Sequence, residues 1–295
     1  MYTEKRIKIM KEYDNATLEK IQKLELEILK DVIGVCEEFG LTYFAFAGTA
    51  IGAIRHNGFI PWDDDLDIGM PREDYEKLLR VFNERYSDRY AIGNPEYMCD
   101  YPMVGTRIMI RGTKFIEEVF KDIDCELGIP LDVHPFDNLP DDDREFKKYA
   151  RRVWFWAHLL ILRHMGNPNF PPQYSGDDKR GKRVRNICKA VHMFLVLLRI
   201  RPIWIYKRYK KAACRYNHIE TERIGWCHAG NPYNDWITNS KAFPVMEADF
   251  ENIKIKLPGD IDEYLRRIYG DYMQLPPPER RKNHIPYCLD FGDKA

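Results

Sequence analysis

The chain carries no net charge: 46 Lys and Arg offset 46 Asp and Glu over 295 residues. That balance gives no global attraction to nucleic acid, and no nucleic-acid partner is expected. There is no C-x-x-C pair. The seven cysteines, Cys36, Cys99, Cys125, Cys188, Cys214, Cys227 and Cys288, are odd in number and show no metal-ligand spacing. They point to a reduced chain with neither a disulfide framework nor a cysteine metal site. Long apolar runs are also missing. The longest, Val191 to Ile200, is about half of the roughly 20 residues that cross a bilayer. The opening MYTEKRIKIMKEYDNATLEK has charge throughout and lacks the apolar core of a secretory signal. A cytoplasmic protein without a membrane span is expected, and no internal repeat is present.

What the chain does have is PWDDDLDI, residues 61–68, with four carboxylates in five positions followed directly by apolar residues. A solvated acidic loop runs on into polar residues, whereas Leu66 and Ile68 alternate here with Asp65 and Asp67, as in a half-buried strand. The flanking sequence gives this segment a setting. Leu18, Ile21, Leu24, Ile28, Val32 and Val35 recur at helical spacing, so a long helix is expected over 16–39, capped by Asn15 and stopped by Gly40. LTYFAFAG follows as a buried strand ending at Gly48, and Thr49 opens a helix, TAIGAIRHNG. Pro71 with Arg72, Glu73 and Asp74 starts another helix, through Phe82.

Further along, VGTRIMIRGTKFIEEVF alternates around a turn at Arg111 and Gly112, and GIPLDVHPFDNLP gives one more strand. Residues 144–165 and 183–219 are helical by pattern, separated by NPNFPPQYSGDDKRG as a surface loop. NIKIKLP is a strand candidate, a helix is expected from Asp260 to Tyr269, and PPPERRKNH is a proline-rich exit. The chain therefore divides into an N-terminal catalytic core (1–143), a mainly helical, partly basic subdomain (144–250) and a C-terminal segment (251–295) that packs back on the core. A strand-to-helix turn at Gly48 and Thr49, followed about 16 residues later by the D-x-D of Asp65 and Asp67 and then by a lone strand Asp at Asp132, is the layout of a nucleotidyltransferase-like fold. The expected class is therefore α+β, a nucleotidyltransferase-like mixed sheet core flanked by helices, with a mainly helical addition.

Asp65 and Asp67 on one strand project from one face, close enough to share a cation; Asp63 joins them only where the strand begins early. In LDVHPF, Leu131 and Val133 point inward and Asp132 away, which brings a third carboxylate from a neighbouring strand. Three such oxygens suit Mg²⁺ or Mn²⁺, which fill their remaining positions with water and substrate phosphate. Gly48 and Thr49 stand where a strand turns into a helix, and free backbone N–H groups there bind phosphate oxygens. Arg55, six residues into that helix, is a candidate for the donor phosphates.

FAGTAIGAIRHNGFIPWDDDLDIGMPREDYEKLL resembles the signature block of the LicD family of phosphorylcholine-transferase-like enzymes. LPGDIDEYLRRIYGDYMQLPPPERRKNH is similar to that family's closing motif, and IPLDVHPFDNLP to its third-carboxylate segment, with His134 where an aromatic is more usual. The resemblance implies that Asp65 and Asp67 bind the catalytic metal, that Asp132 completes the site as ligand or base, and that Gly48 and Thr49 face the phosphates. It further implies a CDP-activated alcohol donor such as CDP-choline. The acceptor is then a sugar hydroxyl of a cell-surface glycan, such as lipopolysaccharide or teichoic acid, or of its lipid-linked precursor, and a nucleoside monophosphate is released. Competing readings are a nucleotidyltransferase that deposits a nucleoside monophosphate, a glycosyltransferase with its own D-x-D motif, and a scaffold that binds glycan or nucleotide without turnover.

His134 reads as a hydrogen-bonded core histidine and is assigned no metal. Tyr269, Asp271 and Tyr272 read as packing the C-terminal segment on the core. Arg280, Arg281 and His284 are either a phosphate contact or a solvated basic tail. From Lys179 to Arg215 there are 13 Lys and Arg and no acid, around the apolar block VHMFLVLLRIRPIWIY. Two readings stand: peripheral contact with an anionic membrane, or a core helix with a basic solvent face.

Overall fold

The computed structural model describes residues 13–166, 179–228, 231–281 and 283–294. Helix α1 (Asn15–Phe39) buries the stripe Leu18, Ile21, Leu24, Ile28, Val32 and Val35. Its cap is Asp14 rather than Asn15: the Asp14 carboxylate accepts the Thr17 N–H at 2.7 Å, and Gly40 ends the helix in the left-handed conformation (φ 63°). Strand β1 (Phe44–Ala45) is shorter than its aromatic sequence suggests, because α2 (Ala47–His56) has already begun at Ala47. Gly48 therefore lies in the first helical turn and not at the end of a strand.

Strand β2 (Asp67–Pro71) and helix α3 (Arg72–Tyr86) follow, then β3 (Tyr90–Gly93), β4 (Thr106–Ile110), β5 (Lys114–Ile116) and the long β6 (Pro130–Leu139). Because β2 begins at Asp67, Asp65 precedes the strand that was expected to hold both residues. The two-residue alternation survives without ladder pairing: Asp64 and Leu66 are buried, while Asp63, Asp65 and Asp67 remain half-exposed.

The main sheet has the order β1-β2-β6-β4-β3. Strands β2 and β6 are parallel, and the other neighbours in this order are antiparallel. It is lengthened by β7 (Arg223–Gly225), which pairs with the far half of β6, and β8 (Trp236–Thr238). Strand β5 does not form a hairpin with β4 across Gly112. It pairs instead with β11 (Cys288–Asp290) from the far end of the chain. One sheet face, bearing Ile68, Met70, Ile108, Leu131 and Val133, packs with α1 and α3 into the main core.

Helices α4 (Asp143–His164), α5 (Lys179–Leu197) and α6 (Pro202–Ala213) form a second layer, with Val153, Ala157, Leu160, Ile205 and Tyr209 packed together. The stretch expected to be helical over 183–219 is divided between α5 and α6. Arg199 takes a left-handed φ of 53°, and Pro202, which fits only a first helical turn, opens α6. The expected surface loop lies outside the described residues, except that Lys179, Arg180 and Gly181 begin α5. Short helix α7 (Asn239–Ala242), the hairpin β9 (Met246–Phe250) and β10 (Ile253–Leu257), and α8 (Asp262–Tyr269) return the chain to the core, where Phe250, Ile255, Leu257, Tyr264 and Leu265 join the main cluster. Among the described residues, no helix is long and apolar enough to cross a membrane.

Candidate functional site

The sheet register aligns the chemistry. Asp67 of β2 is paired with Asp132 of β6, and Asp132 is paired on its other side with Arg107 of β4. Three charged side chains from three adjacent strands thus project from the face opposite the main core. Arg107 donates from Nε to Asp132 at 3.0 Å and reaches Glu117 at 2.7 Å. His134 Nε2 lies 3.3 Å from Asp67. Asp67, Arg107, Asp132 and His134 line a cavity of about 490 Å³, together with residues that include Phe46, Ala47, Gly105, Ile161, Trp226, His228, Asp235, Tyr264 and Tyr269. Ala47 holds a left-handed φ of 48° at the rim, a conformation costly for a residue with a Cβ and typical of functional sites.

Beside the cavity the remaining acids crowd together. Burial, then the neighbouring Asp67 and Asp63 carboxylates, hold the Asp65 carboxyl well above the usual range; Asp132 adds to this and His284 opposes it. Burial likewise raises Asp63 to about 6, against the pull of His284. Beneath them Glu25 of α1 is fully buried, neither carboxylate oxygen has a hydrogen-bond partner among the described residues, and burial followed by Asp65, Asp64 and Asp63 raises its pKa well above the usual value. An orphaned carboxylate under a cluster of acids is the arrangement a hard divalent cation satisfies, so the residues present fit Mg²⁺ or Mn²⁺. Atoms of Asp63, Asp64 and His284 lie within 4.8 Å of one another. Asp65, Asp67 and Asp132 are neighbours but do not converge as closely, since Asp67 faces His134 and Asp132 faces Arg107.

Asp64 has a different task. Its buried carboxylate accepts the His284 backbone N–H at 2.8 and 3.0 Å, and the His284 ring nitrogen lies 3.2 Å away. This clasps the C-terminal segment over the acids. The contact with Asp64, opposed by burial, raises His284 to about 9. A base with a raised folded-state pKa contributes stability below its unfolded value of 6.5 and loses it as pH rises through about 9. The metal-free protein is therefore expected to show a small fall in Tm over that window, small because the imidazole is 63% exposed. A His284→Gln variant should flatten the slope, and an unchanged slope would remove the clasp from the account.

Thr49 is buried, and its hydroxyl accepts the Asp67 backbone N–H at 2.8 Å. It fixes the start of β2 from beneath instead of facing the cavity. Thr49→Val leaves that N–H unpaired and is expected to cost about 1–3 kcal/mol in urea unfolding, while Thr49→Ser restores it. Gly48 does face the acids: a Cβ there would stand 2.7 Å from an Asp63 carboxylate oxygen. Arg55 hydrogen-bonds the Tyr272 carbonyl and, at 2.9 Å, His56. It lies near Arg281 and Asp63 at the outer edge of the cluster, and Arg281 stacks on Trp62 at 4.6 Å. His134 is buried as expected, but it faces Asp67 and leaves Nδ1 without a partner. Tyr269 is 47% exposed on the cavity wall instead of packing the tail onto the core.

Residues 40–113 match the family model described as LicD/FKTN/FKRP, nucleotidyltransferase domain. That segment, about a quarter of the chain, is where the similarity to the LicD family lies. Its similarity to the lipopolysaccharide cholinephosphotransferase LicD of Haemophilus influenzae is 25% identity over 286 residues, covering 91% of this chain and 96% of that protein. An uncharacterised protein of Rickettsia prowazekii is 44% identical over 171 residues, 48% of this chain and 61% of its own length. Human ribitol 5-phosphate transferase FKRP is 44% identical over 48 residues, only 16% of this chain and 10% of that protein. The LicD-family block contains Gly48, Thr49, Arg55, Asp63, Asp65, Asp67 and Arg107. Glu25, Asp132, Trp226, Asp235, Tyr269 and His284 come to the site from outside it.

Of the residues in and around the cavity, Glu25, Arg107, Trp226, Asp235 and Tyr264 are absent from the sequence-based expectations. A signal existed for Glu25, which stands four residues after Ile21 and three before Ile28, inside the apolar stripe. Arg107 sits in a stretch already read as alternating, on the face away from Ile108. The other three carry no local mark, since only tertiary folding brings them to the cavity.

Proposed function

We infer that the protein is a metal-dependent phosphotransferase that moves phosphocholine from a CDP-activated donor to a sugar hydroxyl of a surface glycan or its lipid-linked precursor. The observation that carries this reading is the composition of the cavity: its lining combines the paired carboxylates Asp67 and Asp132 and Arg107 with aromatic rings and a further carboxylate, Asp235. The His134 and Trp226 rings lie 4.5 Å apart, Phe46 is 6.2 Å from Trp226 and 6.4 Å from Tyr264, and Asp235 lies among them. Aromatic faces with a nearby acid suit a quaternary ammonium, which they attract through the ring quadrupole. The names of the H. influenzae and human relatives, a cholinephosphotransferase and a ribitol 5-phosphate transferase, point to the same reaction class.

Asp65, Asp67 and Asp132 are the residues that would hold Mg²⁺ or Mn²⁺, with Asp63 beside them. An ion held there would supply positive charge to offset that on the phosphoryl oxygens. Arg107, held between Asp132 and Glu117, presents a fixed positive charge to the same oxygens. Asp132 accepts the proton of the attacking sugar hydroxyl, the bond from that oxygen to phosphorus forms as the bridging P–O bond breaks, and CMP leaves. Trp226, Tyr264 and Tyr269 orient the choline end, and Thr49 keeps Asp67 in register.

The test is CMP release from a panel of CDP-alcohols with a glycan acceptor. CDP-choline should be consumed fastest, and Trp226→Ala should raise KM for CDP-choline about tenfold while changing it little for CDP-ribitol. Equal effects on both donors would remove the choline assignment. Sugar transfer from a sugar nucleotide would remove the reaction class.

A further inference from the structure

We propose that the C-terminal end of α5 and its turn into α6, residues 193–204, form a docking site for an anionic lipid bilayer. Of the 19 residues of helix α5, Gly181, Cys188 and Leu195 are the buried ones. Its last turn and the loop beyond it present large apolar side chains to solvent, with Met193 64%, Phe194 59%, Leu197 79% and Leu198 53% exposed, and Trp204 45% exposed at the start of α6. A contiguous apolar tip of this kind on an otherwise charged surface marks an interaction site.

Charge selects the partner. The tip is flanked by exposed Arg199 and Arg201, Arg208 stacks on Trp204 at 4.9 Å, and the sequence from Lys179 to Arg215 contains no acid. An apolar protrusion ringed by cations matches the depth profile of an anionic leaflet, where Trp and aliphatic groups enter the acyl boundary and Arg and Lys stay among the headgroups. A symmetric contact with a second copy would set these cations against their own images.

The tip is mechanically tied to the cavity. Arg163 of α4 donates from Nε to the Ile200 carbonyl at 2.6 Å, and His192 Nδ1 lies 2.9 Å from the Leu162 carbonyl. Ile161, two residues before Arg163 on the same helix, lines the cavity. A docked tip therefore holds the cavity close to the membrane surface, within reach of a lipid-carried acceptor. That last clause rests on the function proposed above; the lipid contact does not.

The experiment is co-sedimentation of the full chain with phosphatidylcholine vesicles, with and without phosphatidylglycerol, without nucleotide. Binding is expected to the phosphatidylglycerol vesicles at low salt, weakened by added salt and absent on phosphatidylcholine alone. Phe194→Ser combined with Leu197→Ser should lower the partition coefficient about tenfold or more by withdrawing two apolar anchors. Arg199→Gln with Arg201→Gln should lower it about tenfold. Both pairs should keep the wild-type Tm. Three results would overturn the proposal: no sedimentation of the wild type with anionic vesicles at low salt, a wild-type dimer that the Phe194 and Leu197 pair dissociates, or a lowered Tm in that pair, which would assign these side chains to packing. Because no step reads turnover, failure of the transferase reading leaves the binding result intact.

Discussion

Asp65→Asn is expected to abolish transfer and at the same time to make the metal-free protein more stable. The Asp65 carboxyl is held well above its usual pKa by burial and by Asp67, Asp63 and Asp132, so its ionised form opposes folding. The sign follows from linkage. An acid whose folded-state pKa is raised contributes stability below its unfolded value and loses it as pH rises through the folded value. Removing the charge should raise the urea midpoint at neutral pH, and the difference should close on acidification. In the reaction proposed above, activity should fall by about 10²–10³-fold or more, because several kcal/mol of charge stabilisation at the phosphoryl group would depend on these acids holding the ion. Asp67→Asn should match it in activity. A variant that kept full turnover, or was destabilised at neutral pH, would show that these acids are structural.

The second large effect lies away from the cavity. Arg72, the first residue of α3, donates from Nε and Nη2 to Asp137 of β6 at 2.8 and 2.6 Å, with both side chains almost wholly buried. Asn217 adds a third bond to the same carboxylate at 2.7 Å. Asp137→Ala leaves a buried guanidinium without its counter-ion, and the expected loss is about 3–5 kcal/mol in urea unfolding. Exchanging both partners for apolar residues of similar volume should cost much less, since neither charge is then stranded. A loss below about 1 kcal/mol for the single variant would mean that water replaces the partner freely. Asp137 lies five residues beyond Asp132 on one strand, so this clamp also bears on how firmly β6 presents Asp132.

Much of the site was legible in the sequence because the alternation rule does not need a hydrogen-bonded strand. Residues 63–67 obey it although β2 begins only at Asp67, and extended backbone alone puts Asp63, Asp65 and Asp67 on one side. Asp132 was legible for the same reason, between two inward aliphatic residues. The long helix α1 followed from its apolar spacing, yet its cap moved by one residue, since neighbouring Asp14 and Asn15 both have capping side chains. The division between α5 and α6 was written in RIRPIW, where Pro202 excludes an unbroken helix, and apolar periodicity on both sides obscured it. The pairing of β5 with β11, and the meeting of Trp226, Asp235 and Tyr264 with β2 and β6, depend on contacts between distant segments that no local pattern encodes. Arg55 is near the acidic stretch in sequence, whereas Arg107 meets Asp132 only through the register of β4 on β6, which no local pattern shows.

The central claim is that this acid cluster binds a divalent ion beside a CDP-activated donor, and Mn²⁺ binding followed by electron paramagnetic resonance tests it without reference to turnover. Wild-type protein is expected to take up Mn²⁺, more tightly when CDP-choline is present, and Asp65→Asn and Asp67→Asn to lose that uptake while remaining folded. Equal Mn²⁺ binding by wild type and both variants, with donor present, would contradict it.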